Sequence, residues 1–212
     1  MAFPTTSVIE TFTGADTTTP PNSNWTNFWG SSAGANLGIR ITSNRAAANN
    51  TSFYCTAYWD TETFGPNCEA FCTITTVPIN GDIIGLWIRG QSPGLSTDDG
   101  YLVGADKSAG TDTFDVYRID NNTYTLLGSA ISQEFAANDS FGISAVGSTL
   151  EIWYKASGGS WTSLGTKTDG TYSGAGYIGI SIDKAAQLDD FGGGTVVAAS
   201  TIRQLASAGV GK

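Results

Sequence analysis

The sequence contains no histidine among its 212 residues. That absence removes His-based triads, His general acids and the commonest ligand of catalytic zinc, and with them a large share of hydrolase mechanisms. Any catalysis would rest on carboxylates, Lys, Tyr, Ser or Cys. Basic residues are also scarce. Ten Lys plus Arg stand against nineteen Asp plus Glu, a formal charge of −9, which repels a phosphate backbone and excludes nucleic acid as an expected partner. Cysteine is limited to Cys55, Cys68 and Cys72, and an odd number with no His nearby does not complete a four-ligand zinc site. Buried reduced thiols are the expected state, with one disulfide plus a free thiol as the alternative. No run approaches the 18 or so apolar residues of a membrane helix. The start, MAFPTTSVIETF, has neither the basic opening nor the apolar stretch of a secretory signal, so synthesis in the cytoplasm without membrane association is the expectation.

What is abundant is glycine, 27 residues, about twice the ordinary share, together with Ser, Thr and aromatics. This is the composition of strands and tight turns. A chain of this length suits one large all-β domain or two small ones. No convincing helical period occurs before residue 200. Ile83 to Arg89 alternates so that Ile84, Leu86 and Ile88 share one face and Trp87 and Arg89 the other. Phe114 to Ile119 and Tyr124 to Leu127 flank Asp120-Asn121-Asn122, a hairpin turn in residues that tolerate left-handed backbone. Phe141 to Val146, Leu150 to Lys155 and Trp161 to Leu164 follow as antiparallel strands joined at Gly147-Ser148 and Gly158-Gly159, and Tyr177 to Asp183 alternates with Ile178, Ile180 and Ile182 inward. After Gly194 the composition shifts to Ala, Ser and Val. The reading is therefore one domain over residues 1–194 and a C-terminal arm or tail over 195–212.

Five phrases in order carry a resemblance: Ile9-Glu10-Thr11-Phe12 with Asn24-Trp25; Asp99-Gly100-Tyr101; Val116-Tyr117-Arg118-Ile119-Asp120; Leu126-Leu127-Gly128-Ser129; and Leu188-Asp189-Asp190-Phe191-Gly192-Gly193-Gly194. Together they resemble the concanavalin A-like lectin/glucanase, or laminin-G-like, jelly roll, in the variant found in virion proteins of tailed bacteriophages. The resemblance covers roughly residues 7 to 194. It implies an all-β, two-sheet antiparallel jelly-roll sandwich with first and last strands side by side. Catalytic members of that superfamily carry a Glu-x-Asp-x-x-Glu strand, which this chain lacks. No enzyme is expected.

The resemblance also implies a place for Ca²⁺ where the first and last strands meet, and Glu10 and Asp190 match it. Thr11 stands where related glucanases have an acidic residue. For glycans, strand parity nominates Trp87, Arg89, Tyr117, Glu151, Trp153 and Lys155, all opposite the aliphatic residues of their own strands. They would form one aromatic, charged surface if their strands share a sheet. Trp25 and Trp29 read as core or loop anchors. No Gly-rich phosphate loop precedes a helix, so nucleotide binding is not expected. Two functions follow. The first is a non-catalytic structural component of a phage particle, in the capsid decoration or the tail and its fibres, homo-oligomeric, docked to other virion proteins and adhering to cell-surface glycans. The second is a stand-alone carbohydrate-binding module.

Overall fold

The computed structural model describes residues 2–29, 38–50, 52, 54–94 and 96–197. The strands in chain order are β1 (Val8–Glu10), β2 (Trp25–Trp29), β3 (Ile39–Ile41), β4 (Ala46–Ala48), β5 (Tyr54–Trp59) and β6 (Cys68–Thr76). Next come β7 (Ile83–Gln91), β8 (Asp99–Asp106), β9 (Thr113–Asp120), β10 (Thr123–Leu126) and β11 (Ile131–Ser132). The last five are β12 (Ser140–Val146), β13 (Thr149–Lys155), β14 (Thr162–Thr168), β15 (Tyr177–Asp183) and β16 (Gln187–Thr195). No helix occurs among the described residues.

These strands form two antiparallel sheets packed as a sandwich. The first runs β14-β13-β12-β6-β16-β4-β3, with β1 added to β16; the second runs β10-β9-β8-β7-β15-β5-β2, with β11 added to β9. The first and last strands pair, Val8 opposite Gly192 and Glu10 opposite Phe191. The expected hairpin is present, with Asn121 and Asn122 both at positive φ (45° and 62°), the backbone a two-residue turn between right-twisted strands demands. Alternation also holds. Ile84, Leu86 and Ile88 of β7 and Ile178, Ile180 and Ile182 of β15 meet Ala70, Cys72, Phe141, Ile143, Leu150 and Ile152 of the first sheet in one buried cluster. Each fully buried Ile, Leu or Phe contributes about 1.5–3 kcal/mol of burial, so this layer dominates the favourable side of folding. Cys55, Cys68 and Cys72 lie buried within it, none of them in a disulfide.

The sequence-based boundary at residue 194 falls inside the last strand. Thr195 still pairs with Cys68, and Val196 is buried and donates its backbone N–H to the Asn67 carbonyl at 2.9 Å. Residues 198–212, most of the expected arm, lie outside the described residues.

The N-terminal segment crosses the first sheet's outer face, beside a cavity of about 260 Å³ lined in part by Phe3, Glu151 and Trp153 and one of about 270 Å³ lined in part by Pro4, Lys155 and Trp161. Phe3 stacks on Trp153 (centroids 4.9 Å apart, planes 2° from parallel) and meets Trp161 edge-on at 4.9 Å. Its ring lies directly over Gly142, where a Cβ would come within 2.4 Å of it. Glu69 holds the following residues in place. It is buried, and its Oε1 accepts from the backbone N–H of Thr5 (2.6 Å) and Thr6 (2.7 Å) and from both hydroxyls. The strap thus satisfies a buried charge while adding an aromatic to the fold. Phe3→Ala is expected to destabilise the protein by about 3 kcal/mol, the range of large-to-small aromatic substitutions at buried sites, read as a lowered urea midpoint with unchanged m-value.

Candidate functional site

The residues nominated for a glycan surface do not share one. Trp87 and Arg89 lie on β7 and Tyr117 on β9, in the second sheet, whereas Glu151, Trp153 and Lys155 lie on β13 in the first. The outer faces of a sandwich point in opposite directions, so parity within each strand did not translate into a common face. Trp153 has its ring face occupied by Phe3 and gives its indole N–H to Ser144 Oγ at 3.1 Å. Trp87 is buried beneath its neighbours, its ring over Gly90, where a Cβ would approach to 2.2 Å. Arg89 departs from the alternation altogether. The ladder shifts register between Ile88 and Gln91, and Arg89 has φ 49°, which turns its side chain inward. There it is fully buried and donates to the carbonyls of Pro66 (2.8 Å) and Tyr172 (3.0 Å). It also lies against the Cys68 thiol, which burial pushes up to about 11 despite the guanidinium. Arg89 is thus a staple between loops, and of the nominated group Tyr117 alone borders the cavity on the second sheet's outer face. Trp25 is in the core; the Trp29 side chain lies outside the described residues.

The calcium pair does not fit a cation either. Glu10 Oε1 accepts from the Phe12 N–H (2.8 Å), and Oε2 accepts from Asn22 Nδ2 (2.6 Å) and the Trp25 indole N–H (3.4 Å). Three donors converging on one carboxylate present positive charge where Ca²⁺ would sit. Asp190 is exposed and sits at φ 49° in a bulge of β16. Among the described residues no group of three or more carboxylate or thiol side chains is placed to hold a metal ion. Glu10 therefore acts as a hydrogen-bonded anchor of the first strand.

What the structure does assemble is on the outer face of the second sheet. Pairing aligns Thr56, Ser181, Gly85, Gly104 and Asp115 in one row across β5, β15, β7, β8 and β9. On one side of this row stand Tyr58, Trp87, Leu102 and Tyr117, and on the other Tyr54, Asp183, Ile83 and Asp106. The row is a floor of small side chains between two walls. Leu102 leans over Gly85, and Ile83 over Gly104. The floor curls strongly. Tyr54 and Tyr124 belong to strands five places apart, roughly 24 Å on a flat sheet at 4.7–4.9 Å per strand, yet their hydroxyls are hydrogen-bonded. A cavity of about 270 Å³ lies here, lined by Tyr54, Ile83, Leu102, Tyr117, Tyr124 and Ser181. A recess of about 10 Å³ adjoins it, sharing Leu102, Tyr124 and Ser181 and adding Thr56, Trp87, Asp98 and Ile119.

The electrostatics of this face are mainly negative, with Lys184 partly offsetting the rise that burial gives Asp183. Burial pushes the Tyr54, Tyr117 and Tyr124 phenols up, and carboxylates add to it, Asp98 and Asp183 at Tyr54, Asp115 and Asp106 at Tyr117, and Asp98 at Tyr124. Asp98, 2% exposed, is itself pushed up to about 6 by burial, with the neighbouring Asp99 adding to the effect. Desolvation also raises Asp106, with Asp115 and Asp112 as contributing like charges. No Lys or Arg lines either cavity. The nearby cations are engaged elsewhere, Lys107 with Asp112 at 2.6 Å and Lys184 with Asp82. Sequence reading missed most of this face because it did not resolve β5. There Tyr54, Thr56 and Tyr58 alternate with buried Cys55, Ala57 and Trp59, a period of two that marks an aromatic outer face.

No family model and no curated protein matches the chain. Solved structures do. The chain is similar to the carbohydrate-binding module CBM66 from Bacillus subtilis, with 16% identity, TM-score 0.56, and 81% of this chain and 94% of that one covered. It is similar to a legume lectin-like domain from Entamoeba histolytica, with 13% identity, TM-score 0.54, and 82% and 91% covered. It is also similar to the VIP36 exoplasmic/lumenal domain in its Ca²⁺/Man2-bound form, with 10% identity, TM-score 0.64, and 92% and 90% covered. These likenesses establish the fold as a lectin-like jelly roll.

Two outcomes follow from the geometry. Thermal melts in millimolar Ca²⁺ and in excess chelator should superimpose, because a cation bound only to the folded state at a hundredfold excess over Kd would add about 2.7 kcal/mol, a shift of several degrees. Asp98 sets a pH dependence. A carboxyl whose folded value rises from 3.8 to about 6 contributes stability that is complete below the unfolded value and is lost as pH climbs through the folded one. Asp98→Asn should therefore be more stable than the wild type at pH 7–8, by up to about 3 kcal/mol at 1.36 kcal/mol per unit. The advantage should vanish below about pH 4; denaturant titrations across that range measure it.

Proposed function

We propose that the chain is a non-catalytic carbohydrate-binding domain whose glycan site is the curled outer face of the second sheet. The observation that carries this is the cavity of about 270 Å³ walled by Tyr54, Tyr117 and Tyr124, with the buried carboxyl of Asp98 in the adjoining recess. Pyranose rings present C–H faces that lie on aromatic rings and hydroxyls that donate to carboxylate oxygens. The face offers both kinds of partner, with Ile83 and Leu102 packed over the two glycines and Ser181 lining the cavity between the tyrosines. The neighbours' own names support the reading, since one is a carbohydrate-binding module and another, the VIP36 exoplasmic/lumenal domain, is in a Ca²⁺/Man2-bound form. That second neighbour also holds Ca²⁺. Here Glu10 is committed to protein donors, and binding is expected to need no metal.

A role in a virus particle, with homo-oligomers, virion partners and a docking arm, has no observation in its favour among the described residues or the neighbours named above. Carbohydrate binding explains the tyrosine-lined face directly and is the reading retained.

The test is a glycan array followed by calorimetry in chelator. The wild type should bind at least one glycan with micromolar to millimolar Kd. Tyr117→Ala and Tyr124→Ala should each weaken it about tenfold, the scale of an aromatic anchor at a binding face. Trp153→Ala, on the opposite sheet under Phe3, should leave affinity unchanged. A wild type blank on the array, or loss confined to Trp153→Ala, would overturn the proposal.

A further inference from the structure

The sign of the charge around the tyrosine-lined cavity narrows the ligand. We propose that this cavity selects saccharides bearing a free, protonated amino group, an inference that rests on the outer face of the second sheet being the glycan site. Asp98, Asp115 and Asp183 are each more than nine-tenths buried (2%, 8% and 8% exposed), and each keeps an Oδ1 with no hydrogen-bond partner in the protein. Asp98 lines the recess that opens from the cavity beside Tyr124. Asp115 stands on the small-residue floor next to Gly104; its other oxygen is 3.4 Å from the Tyr117 hydroxyl. Asp183 stands opposite Tyr54.

Buried carboxylate oxygens without partners are costly, and the cost falls when a positive group approaches. Among the described residues the nearby cations are bound to other carboxylates, although Lys184 also acts on Asp183. Lys184 is bound to Asp82, Lys107 to Asp112, and Arg118 to Asp120 and Asp169 at 2.7 and 3.0 Å. The walls add a second attraction of the same sign, since an ammonium within about 6 Å of a phenol ring is drawn to its face. Three tyrosines with Ile83 and Leu102 therefore form a cage suited to an organic cation carried on a partly apolar ring. The same carboxylates repel uronic acids, sialic acids and sulfated sugars. An N-acetyl group, being neutral, gains from neither the carboxylates nor the cation attraction.

The experiment is calorimetric titration of the full chain at pH 6.5 with three probes: a glucosamine oligosaccharide, its fully N-acetylated counterpart, and choline. The free-amine oligosaccharide should bind about tenfold more tightly than the acetylated one, with an affinity that falls as salt is raised. Asp98→Asn and Asp115→Asn should each erase most of that difference, and Glu62→Gln, at an exposed carboxylate away from the face, should preserve it. Thermal melts of each variant identify any that has lost its fold. Equal or tighter binding of the acetylated sugar overturns the amine selectivity while leaving the glycan site standing. Binding of choline alone, or of no probe and no array glycan, overturns both.

Discussion

The hydroxyl contact between Tyr54 and Tyr124 joins β5 to β10 across four intervening strands, and the second sheet has to curl for it to exist. Side chains on the inside of a curl converge, so that face must be made of small residues where it bends most. Register places Ser181, Gly85 and Gly104 side by side across β15, β7 and β8, at the middle of the sheet. On the other face of the same strands, Ile84, Leu86, Val103 and Ile180 spread into the core. The cavity, its tyrosine walls and its crowded carboxylates all depend on this division between a bulky inner face and a lean outer one.

The first sheet answers the opposite demand. Its central strands carry Phe71, Glu69 and Gly142 outward, and the segment from Ala2 to Thr6 covers them, Phe3 filling the space above Gly142 and Thr5 and Thr6 saturating Glu69. The chain itself thus crosses one outer face, with cavities remaining beside the strap, while the other carries the tyrosine-lined cavity. The strap also explains why β6 is buried on both faces from Cys68 to Cys72 without being sandwiched between three layers of secondary structure.

Much of the fold was legible in the sequence because it depends on local rules. Asn121-Asn122 at positive φ makes the β9–β10 hairpin, Gly147 and Gly158 turn the β12–β14 meander, and the alternating isoleucines of β7 and β15 point inward as their period requires. The candidate site was far less legible, for three physical reasons. Parity assigns a face within a strand but not the sheet to which the strand belongs, so Trp87 and Trp153 were joined across opposite sides of the sandwich. A bulge inverts parity, which sent Arg89 into the protein. Strands buried on both faces lose their alternation, which hid β6, while the outward tyrosines of β5 and β10 become neighbours only through curvature.

The central claim is that the tyrosine-lined face of the second sheet, not the strapped face of the first, meets the ligand. Amide chemical-shift perturbation during titration of the labelled protein with a bound glycan measures this directly. The account predicts shifts concentrated in β5, β7 to β10 and β15, with β12 to β14 and the Phe3 strap silent. Shifts centred on Trp153, Trp161 and the N-terminal segment, with β8 to β10 unmoved, would contradict it.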